Sequence, residues 1–187
     1  MVMRDLTVIM PVYNAMPYLS QAVSSILNQT MTDLRLLVID DGSTDGSGEF
    51  LESVRDPRVA VVRQDNAGTG EARNRGLALC DTEYVANMDA DDVALPDRLA
   101  RQVEYMDRHP EVVMLGTQVD FLVEGKRLRG PRTPPTHDRI VSTMGSGRWG
   151  VSHATLLLRR RALGAVGGYR VPGPGQDLDL LSLVSLK

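Results

Sequence analysis

The sequence predicts an α/β protein built on a mostly parallel sheet, and two features of its first half support this prediction. Short runs rich in Val, Ile and Leu recur along the chain, with a length that suits strands buried on both faces. Stretches of helical length separate these runs, and strands that alternate with helices form parallel sheets with right-handed crossovers. The length of 187 residues fits one domain.

The first half contains four predicted strands and three predicted helices. The strands are expected at residues 6–10, 34–39, 59–63 and 84–88. The helices are expected at residues 18–27, 47–54 and 70–79. In the first helix, Leu19, Val23 and Ile26 share one face, and Pro17 suits the first turn.

The second half is less regular. It predicts a helix at residues 97–108, a strand at 112–122, a tight turn at 124–126, a strand at 153–158, a short helix at 160–166 and a loop at 167–175. Prolines and glycines interrupt the segments between these elements. We therefore expect excursions around the sheet edge rather than a second domain, and one domain over residues 1–187.

Composition excludes several classes of protein. The net charge of −3 and the lack of a basic block argue against nucleic acid held by bulk charge. The apolar runs are much shorter than the roughly 20 residues of a membrane span, so no transmembrane segment is expected. The first ten residues lack the apolar core of a signal peptide, and the chain has a single cysteine, Cys80. These features predict a cytoplasmic protein.

Polar and aromatic residues follow three of the predicted strands, where open parallel sheets bind ligands. Five are carboxylates whose mutual repulsion favours a bound cation, and oxygen ligands suit Mg²⁺, Mn²⁺ or Ca²⁺. In an extended segment, Asp89 and Asp91 would point the same way, and a substrate diphosphate would complete the coordination. A turn with a helix cap explains residues 40–45 equally well. The strand-end residues are Pro11, Tyr13, Asn14, Asp40, Asp41, Asp89, Asp91 and Asp92.

Three further features each have a functional and a structural interpretation. Residues 66–76 open a helix whose N–H groups and Arg73 suit a phosphate, but a glycine-rich surface loop is as plausible. His153 is compatible with a substrate contact or with a structural hydrogen bond. Asp177 follows a glycine-rich loop at a predicted helix start, where an acid normally caps the helix.

Together, six ordered motifs resemble the family-2 glycosyltransferases. The resemblance implies a GT-A-type fold with a Rossmann-like sheet flanked by helices. It also implies a nucleotide-diphosphate sugar donor, for which we favour a UDP-sugar. A divalent ion, Mn²⁺ or Mg²⁺, and inversion at the anomeric carbon complete the expectation. The motifs are Pro11-Val12-Tyr13-Asn14, Asp40-Asp41-Gly42-Ser43-Thr44-Asp45, Asn66-Ala67-Gly68 with Ala72-Arg73-Asn74, Asp89-Ala90-Asp91-Asp92 with Pro96, Gly167-Gly168-Tyr169, and residues 177–180.

The resemblance assigns donor-side roles to residues of the first half, 1–95. Tyr13 would lie against the nucleobase, Asp41 would contact the base, and Asp40 would help to shape its pocket. Pro11, Asn14 and Arg73 would border the nucleotide. Asp89, Ala90 and Asp91 match the Asp-x-Asp motif, with Asp91 as metal ligand and Asp89 near the ribose or sugar and beside the metal.

The acceptor side is assigned to residues 96–187. Asp177 matches the general base, Gln176 stands where the family has a glutamate, and His153 would line the acceptor side. The acceptor would be a saccharide or a lipid-linked sugar in glycan or polysaccharide synthesis, and contact with the inner membrane face is left open.

Two departures from the family pattern leave alternatives open. Gln176 replaces a carboxylate, and ten residues follow Asp177 where the family continues further, so we expect a short acceptor-side half and better donor binding than transfer. One alternative is a noncatalytic or truncated nucleotide-sugar-binding module. Another is a sugar-phosphate nucleotidyltransferase, which residues 11–14 disfavour because they lack a glycine-rich loop with lysine. The residues do not define the oligomeric state.

Overall fold

Eight strands and six α-helices form within residues 6–146 and 150–170, the parts of the chain that the computed structural model describes. The strands are β1 (Leu6–Val12), β2 (Leu34–Asp40), β3 (Val59–Arg63), β4 (Tyr84–Asn87), β5 (Met114–Leu115), β6 (Asp120–Val123), β7 (Lys126–Arg129) and β8 (Leu157–Arg159). The helices are α1 (Leu19–Leu27), α2 (Ser47–Ser53), α3 (Thr69–Ala78), α4 (Arg98–Arg108), α5 (His137–Gly145) and α6 (Arg160–Val166).

The central sheet has the strand order β3-β2-β1-β4-β8-β5. Its first four strands are parallel, whereas β8 runs antiparallel to both β4 and β5. The sequence prediction of a mostly parallel sheet flanked by helices is therefore confirmed. Strands β6 and β7 form a separate antiparallel hairpin.

The helices cover both faces of the sheet because β1 and β2 are apolar on both sides. Val8 and Met10 of β1 belong to a core that includes buried side chains of α1 and α4. Ile9 points to the opposite face, where α3 packs closely on β1. A Cβ at Gly76 of α3 would lie 2.7 Å from Ile9 Cγ2, so this glycine permits the close helix–sheet contact.

Two predicted strands in the second half were wrong. Residues 112–122 divide into β5 and β6, which belong to different sheets. Between them the chain passes close to Val151 at Gly116, and Thr117 N donates to Thr155 Oγ1 instead of to a neighbouring strand. A Cβ at Gly116 would lie 2.1 Å from a methyl carbon of Val151. Residues 153–155 form a 3₁₀ turn before β8 begins, and Thr155 Oγ1 donates to the carbonyl of Ser152 at 2.8 Å. Such a local bond competes with strand pairing.

Most other elements agree with the sequence prediction to within a residue or two. Helix α5 was not predicted, and none of its residues is fully buried. In the parts of the chain that the structure describes, no helix has the length and apolar character needed to cross a membrane.

Candidate functional site

The register of the sheet brings the predicted site residues to one edge. Val12 pairs with Asp40, and Ile9 pairs with Asn87, so the segments after β1, β2 and β4 all leave from the same carboxyl end. The carbonyl of Ile9 accepts a bond from Met88 N, which shows that the backbone N–H and C=O groups of the odd-numbered residues in β1 point toward β4. Pro11 is the next residue on that side, and because proline has no N–H to donate, the pairing with β4 ends and the strands can separate.

The segment after β1 is tied to the segment after β2 by backbone-to-side-chain bonds. Asn14 N donates to Ser43 Oγ at 3.1 Å, Ala15 N to Ser47 Oγ at 3.0 Å and Met16 N to Asp45 Oδ2 at 2.9 Å. In return, Asn14 Oδ1 accepts a bond of 2.8 Å from Thr44 N. Asn14 has a φ of 50°, a conformation that asparagine tolerates better than most residues. These bonds account for most of the polar residues between 43 and 47.

Tyr13 lies between the end of β1 and the tied residue Asn14, and its side chain is open to solvent. The residue is 55% exposed, although both neighbouring segments are held in place. An exposed aromatic ring on a restrained backbone offers a flat apolar face to a ligand at little entropic cost. This placement suits the base-stacking role that the sequence predicts for Tyr13.

Asp41 is buried, and its carboxylate organises the loop between β3 and α3. Its Oδ1 accepts bonds from Gln64 Nε2 at 2.7 Å and from Ala67 N at 2.9 Å. Its Oδ2 accepts a bond of 2.8 Å from Gly68 N. The loop N–H groups that the sequence suggested for a phosphate thus bind an internal carboxylate instead. Asp41 fixes the wall of the site from inside the protein.

Asp40 is also buried and has a similar supporting position. Its Oδ1 accepts a bond of 2.9 Å from Ser43 N, which closes the turn after β2. Its Oδ2 lies 3.6 Å from Arg63 Nε, and Arg63 also donates to the carbonyl of Ser43 at 3.1 Å. The shape of the turn therefore depends on Asp40, and its role in shaping the base pocket stays a prediction.

Arg73 connects helix α3 to the segment after β4. Its Nη2 donates a bond of 2.7 Å to Asp89 Oδ1, and its guanidinium lies 5.7 Å from the centroid of the Tyr169 ring. The Arg73 side chain is buried, whereas 38% of the Asp89 side chain is exposed. The buried cation thus orients a carboxylate whose remaining surface faces outward.

Residues 89–92 form a turn rather than the extended segment expected from the sequence. Asp92 N donates to the carbonyl of Asp89 at 3.3 Å. Ala90 is buried and Asp91 is exposed. Asp92 as a whole is exposed, but partial burial of its carboxyl group, followed by repulsion from Asp89 and Asp91, raises its pKa to about 6.

A divalent cation fits the chemistry of this turn. Among the described residues, no group of three or more His, Cys, Asp or Glu side chains is arranged to hold a metal ion. Asp89 and Asp91 supply only carboxylate oxygens, the ligands that Mg²⁺ and Mn²⁺ use when substrate phosphates complete the shell. Burial is the main cause of the raised pKa of Asp92, and repulsion from Asp89 and Asp91, its second cause, comes from negative charge that a cation would offset.

His153 does not line an open surface, which corrects the acceptor-side placement expected from the sequence. The residue is 4% exposed, and its Nε2 lies 3.0 Å from Asn87 Nδ2 and 2.8 Å from Tyr169 Oη. Since the Asn87 amide nitrogen can only donate, His153 Nε2 accepts and the ring is neutral. Burial, reinforced by the charge of Arg73, lowers the pKa of His153 to about 3.

Sequence reasoning did not identify Asn87 or the side chains of Asn74 and Tyr169 as site-building residues. An asparagine inside the apolar β4 run is a signal for a buried polar contact, because an unsatisfied amide is costly there. Asn74 and Tyr169 belong to two recognised motifs, but nothing in the sequence shows that they meet. Gln176 and Asp177 lie outside the described residues.

The family described as "Glycosyl transferase family 2" matches residues 7–167, a range that includes the described site residues from Pro11 to His153. The chain belongs to glycosyl transferase family 2. The match extends over the segments after β1, β2 and β4 and the buried His153 and Arg73, so the geometry above is that of a family member.

Curated relatives agree with this family assignment. An uncharacterized glycosyltransferase of Haemophilus influenzae is 34% identical over 144 residues, which cover 75% of this chain and 58% of the relative. Chondroitin synthase of Escherichia coli is 40% identical over 93 residues, covering 49% of this chain and 14% of that enzyme. This family-2 chain spans little more than half the length of the first of these relatives.

Solved structures identify the fold as GT-A. TarS 1–349 of S. aureus superposes with a TM-score of 0.78 at 23% identity, covering 97% of this chain and 55% of TarS 1–349. TarS 1–349 in complex with UDP-GlcNAc gives a TM-score of 0.77 at 23% identity over 96% and 53% of the two chains. The mannosyltransferase PcManGT of Pyrobaculum calidifontis, in complex with GDP-Man and Mn²⁺, gives 0.72 at 21% identity over 96% and 51%.

Proposed function

We propose that this protein is an inverting glycosyltransferase that moves a sugar from a nucleotide-diphosphate sugar to an acceptor hydroxyl. The observation that carries the proposal is the outward carboxylate of Asp89, held by buried Arg73 at the sheet edge that also presents exposed Tyr13. Family membership and solved relatives with UDP-GlcNAc and GDP-Man support a nucleotide-sugar donor. We favour a UDP-sugar.

The donor would be bound by residues that the fold already holds in place. Tyr13 would stack on the base, in a pocket bordered by Pro11 and Asn14. Asp41 would contact the base or hold the loop that closes on it, and Asp40 would maintain the neighbouring turn. Arg73 would keep Asp89 directed at the ribose or the transferred sugar. Apart from Asp41, which is buried and would have to become accessible to contact the base, none of these side chains needs to reorganise before the donor arrives, which favours binding.

A divalent ion, Mn²⁺ or Mg²⁺, would be held by Asp91, with Asp89 beside it and Ala90 setting their spacing. Such an ion supplies positive charge against the leaving diphosphate. The exposed position of Asp91 leaves room for oxygens of the donor to complete the coordination.

On the other face of the sugar, Asp177 would accept the proton of the attacking acceptor hydroxyl. Attack from the face opposite the leaving diphosphate gives a single displacement with inversion. Gln176 would stand beside this base on the acceptor side, and His153 would support the site from inside through Asn87 and Tyr169. A saccharide or a lipid-linked sugar would supply the hydroxyl for glycan or polysaccharide synthesis.

A panel of UDP-sugars and GDP-sugars, with simple methyl glycosides as acceptors, tests the proposal. Release of the nucleoside diphosphate and thermal shift are measured with and without Mn²⁺, because a bound donor raises the unfolding temperature. We expect one donor to be turned over by the wild-type chain, with an anomeric product configuration opposite to that of the donor. Asp177→Asn should abolish transfer and leave donor binding intact. Donor binding with no turnover by the wild type would instead indicate a noncatalytic nucleotide-sugar-binding module.

A further inference from the structure

The side chain of Asn74 forms a pair of hydrogen bonds with the backbone of Tyr169, 95 positions further along the chain. Asn74 Oδ1 accepts a bond of 2.8 Å from Tyr169 N, and Asn74 Nδ2 donates a bond of 2.8 Å to the Tyr169 carbonyl. The amide therefore satisfies both polar backbone groups of one residue, as a neighbouring strand would. We call these two bonds the Asn74–Tyr169 clamp.

Gly168 makes the clamp possible. Its φ is +75°, and a Cβ built at this position would lie 2.6 Å from Asn74 Oδ1. Any side chain at Gly168 would therefore push the Asn74 amide away from Tyr169 and would also strain the backbone. The second glycine of the Gly167-Gly168-Tyr169 motif is thus explained by the close approach of Asn74.

Tyr169 is held at its other end as well. Its residue is 5% exposed, and its hydroxyl lies 2.8 Å from His153 Nε2 and 3.1 Å from Asn87 Nδ2. The residue is therefore fixed both at its backbone and at the tip of its ring. The chain leaves this anchor only eight positions before Asp177.

The clamp also lies next to the donor side. Arg73, the neighbour of Asn74 in helix α3, donates to Asp89 and places its guanidinium over the Tyr169 ring. One turn of α3 therefore orients a donor-side carboxylate through Arg73 and anchors the chain that leads to Asp177 through Asn74. The clamp would limit where the chain that continues to Asp177 can start, and misplacement of a catalytic group is costly in catalysis.

We propose that Asn74 is a positioning residue for transfer: the Asn74–Tyr169 clamp sets where the segment bearing Asp177 leaves the core, beside the Arg73–Asp89 pair. This inference rests on the proposed function. It assigns Asn74 no contact with donor or acceptor, so its effect should fall on the transfer step and not on nucleotide affinity.

Asn74→Ala and Gly168→Ala test the clamp from its two sides. Both variants should lower kcat for the best donor of the panel by about 30-fold, with the Kd for UDP within about threefold of wild type. If both act through the clamp, the double variant should be no slower than the slower single variant, because the bonds can be lost only once.

Gln29→Ala is the matched control. Gln29 is also a buried amide that bridges backbone groups, donating to the carbonyls of Ser25 and Leu95 and accepting from Leu99 N, but none of these bonds involves α3 or Tyr169. The Gln29→Ala variant should lose about as much stability as Asn74→Ala. Its kcat should stay within about threefold of wild type at a temperature where every variant is folded.

Two kinds of result would overturn the positioning role. One is an unchanged kcat in Gly168→Ala and in any folded Asn74 variant; the other is a kcat loss matched by Gln29→Ala or by an equal loss of UDP affinity. A wild-type chain that turns over no donor would overturn the proposed function, and this inference with it, so that failure is recognised from the wild type alone.

Discussion

Arg73 Nη2 lies 2.7 Å from Asp89 Oδ1, and this bond joins a buried cation on α3 to a half-open carboxylate beyond β4. The pair lies at the sheet edge formed by the carboxyl ends of the parallel strands. Because Arg73 is enclosed by protein and also lies over Tyr169, it has little freedom to turn away from Asp89. The donor-side carboxylate is consequently oriented before any ligand binds.

Replacing Arg73 with leucine should reveal this coupling. Arg73→Leu removes a charge-assisted bond and should lower the free energy of unfolding by about 1–3 kcal/mol, measured by urea denaturation. It should also weaken UDP binding, since Asp89 loses its orientation. Arg75→Leu, at an exposed position of the same helix, is the control and should leave the free energy of unfolding nearly unchanged. Equal losses in the two variants would contradict the coupling.

Tyr13 should contribute affinity for the nucleotide through its ring. Tyr13→Ala is expected to weaken UDP binding by about tenfold, because stacking on a base contributes about 1–3 kcal/mol. Tyr13→Phe should bind like the wild type. Tyr18→Ala removes a ring that is 58% exposed only five positions away and should have no effect on binding. If Tyr18→Ala weakened binding as much as Tyr13→Ala, stacking by Tyr13 would be refuted.

His153 should make stability depend on pH. The folded-state pKa of about 3 is lower than that of an unfolded histidine, so the contribution of the neutral ring is complete above about pH 6.5. It is lost as the pH falls from there toward 3. Between pH 7.5 and 5.0 this single group should remove about 2 kcal/mol from the free energy of unfolding.

The comparison of His153→Gln with the wild type isolates that contribution. Urea denaturation at the two pH values should show that His153→Gln loses about 2 kcal/mol less of its free energy of unfolding than the wild type does, whatever its stability at neutral pH. The exposed His109 provides the control, because His109→Gln should retain the loss seen in the wild type. Identical losses in wild type and His153→Gln would mean that the ring is not held neutral in the fold.

The sequence predicted the sheet and its site edge well because the governing signals are local. Short apolar runs located β1 to β4, and apolar periodicity located α1. The gaps between strands located α2 and α3, and Pro96 marked the start of α4. The rule for open parallel sheets then placed Tyr13, Asp40 and Asp89 together. The irregular second half was harder, because β5 and β6 are interrupted by a tertiary contact at Gly116 that no local pattern records.

Burial and partnership at the site were not predictable in the same way. Asp41 has the composition of a ligand-binding residue, yet its carboxylate is used by loop groups more than 20 positions away. His153 reads equally well as a surface or an interior residue until Asn87 and Tyr169 are placed around it. Such contacts depend on long-range packing, which motif spacing does not encode.

The claim that a carboxylate-held cation and a nucleotide diphosphate share this edge is tested most directly by calorimetric titration of UDP. Wild-type protein and Asp91→Asn are compared with and without Mn²⁺, with Asp81→Asn as an exposed control carboxylate before β4. We predict that Mn²⁺ lowers the Kd of UDP by at least about tenfold in wild type and Asp81→Asn and has no effect in Asp91→Asn. UDP affinity that is independent of Mn²⁺, or equally enhanced in Asp91→Asn, would contradict the account.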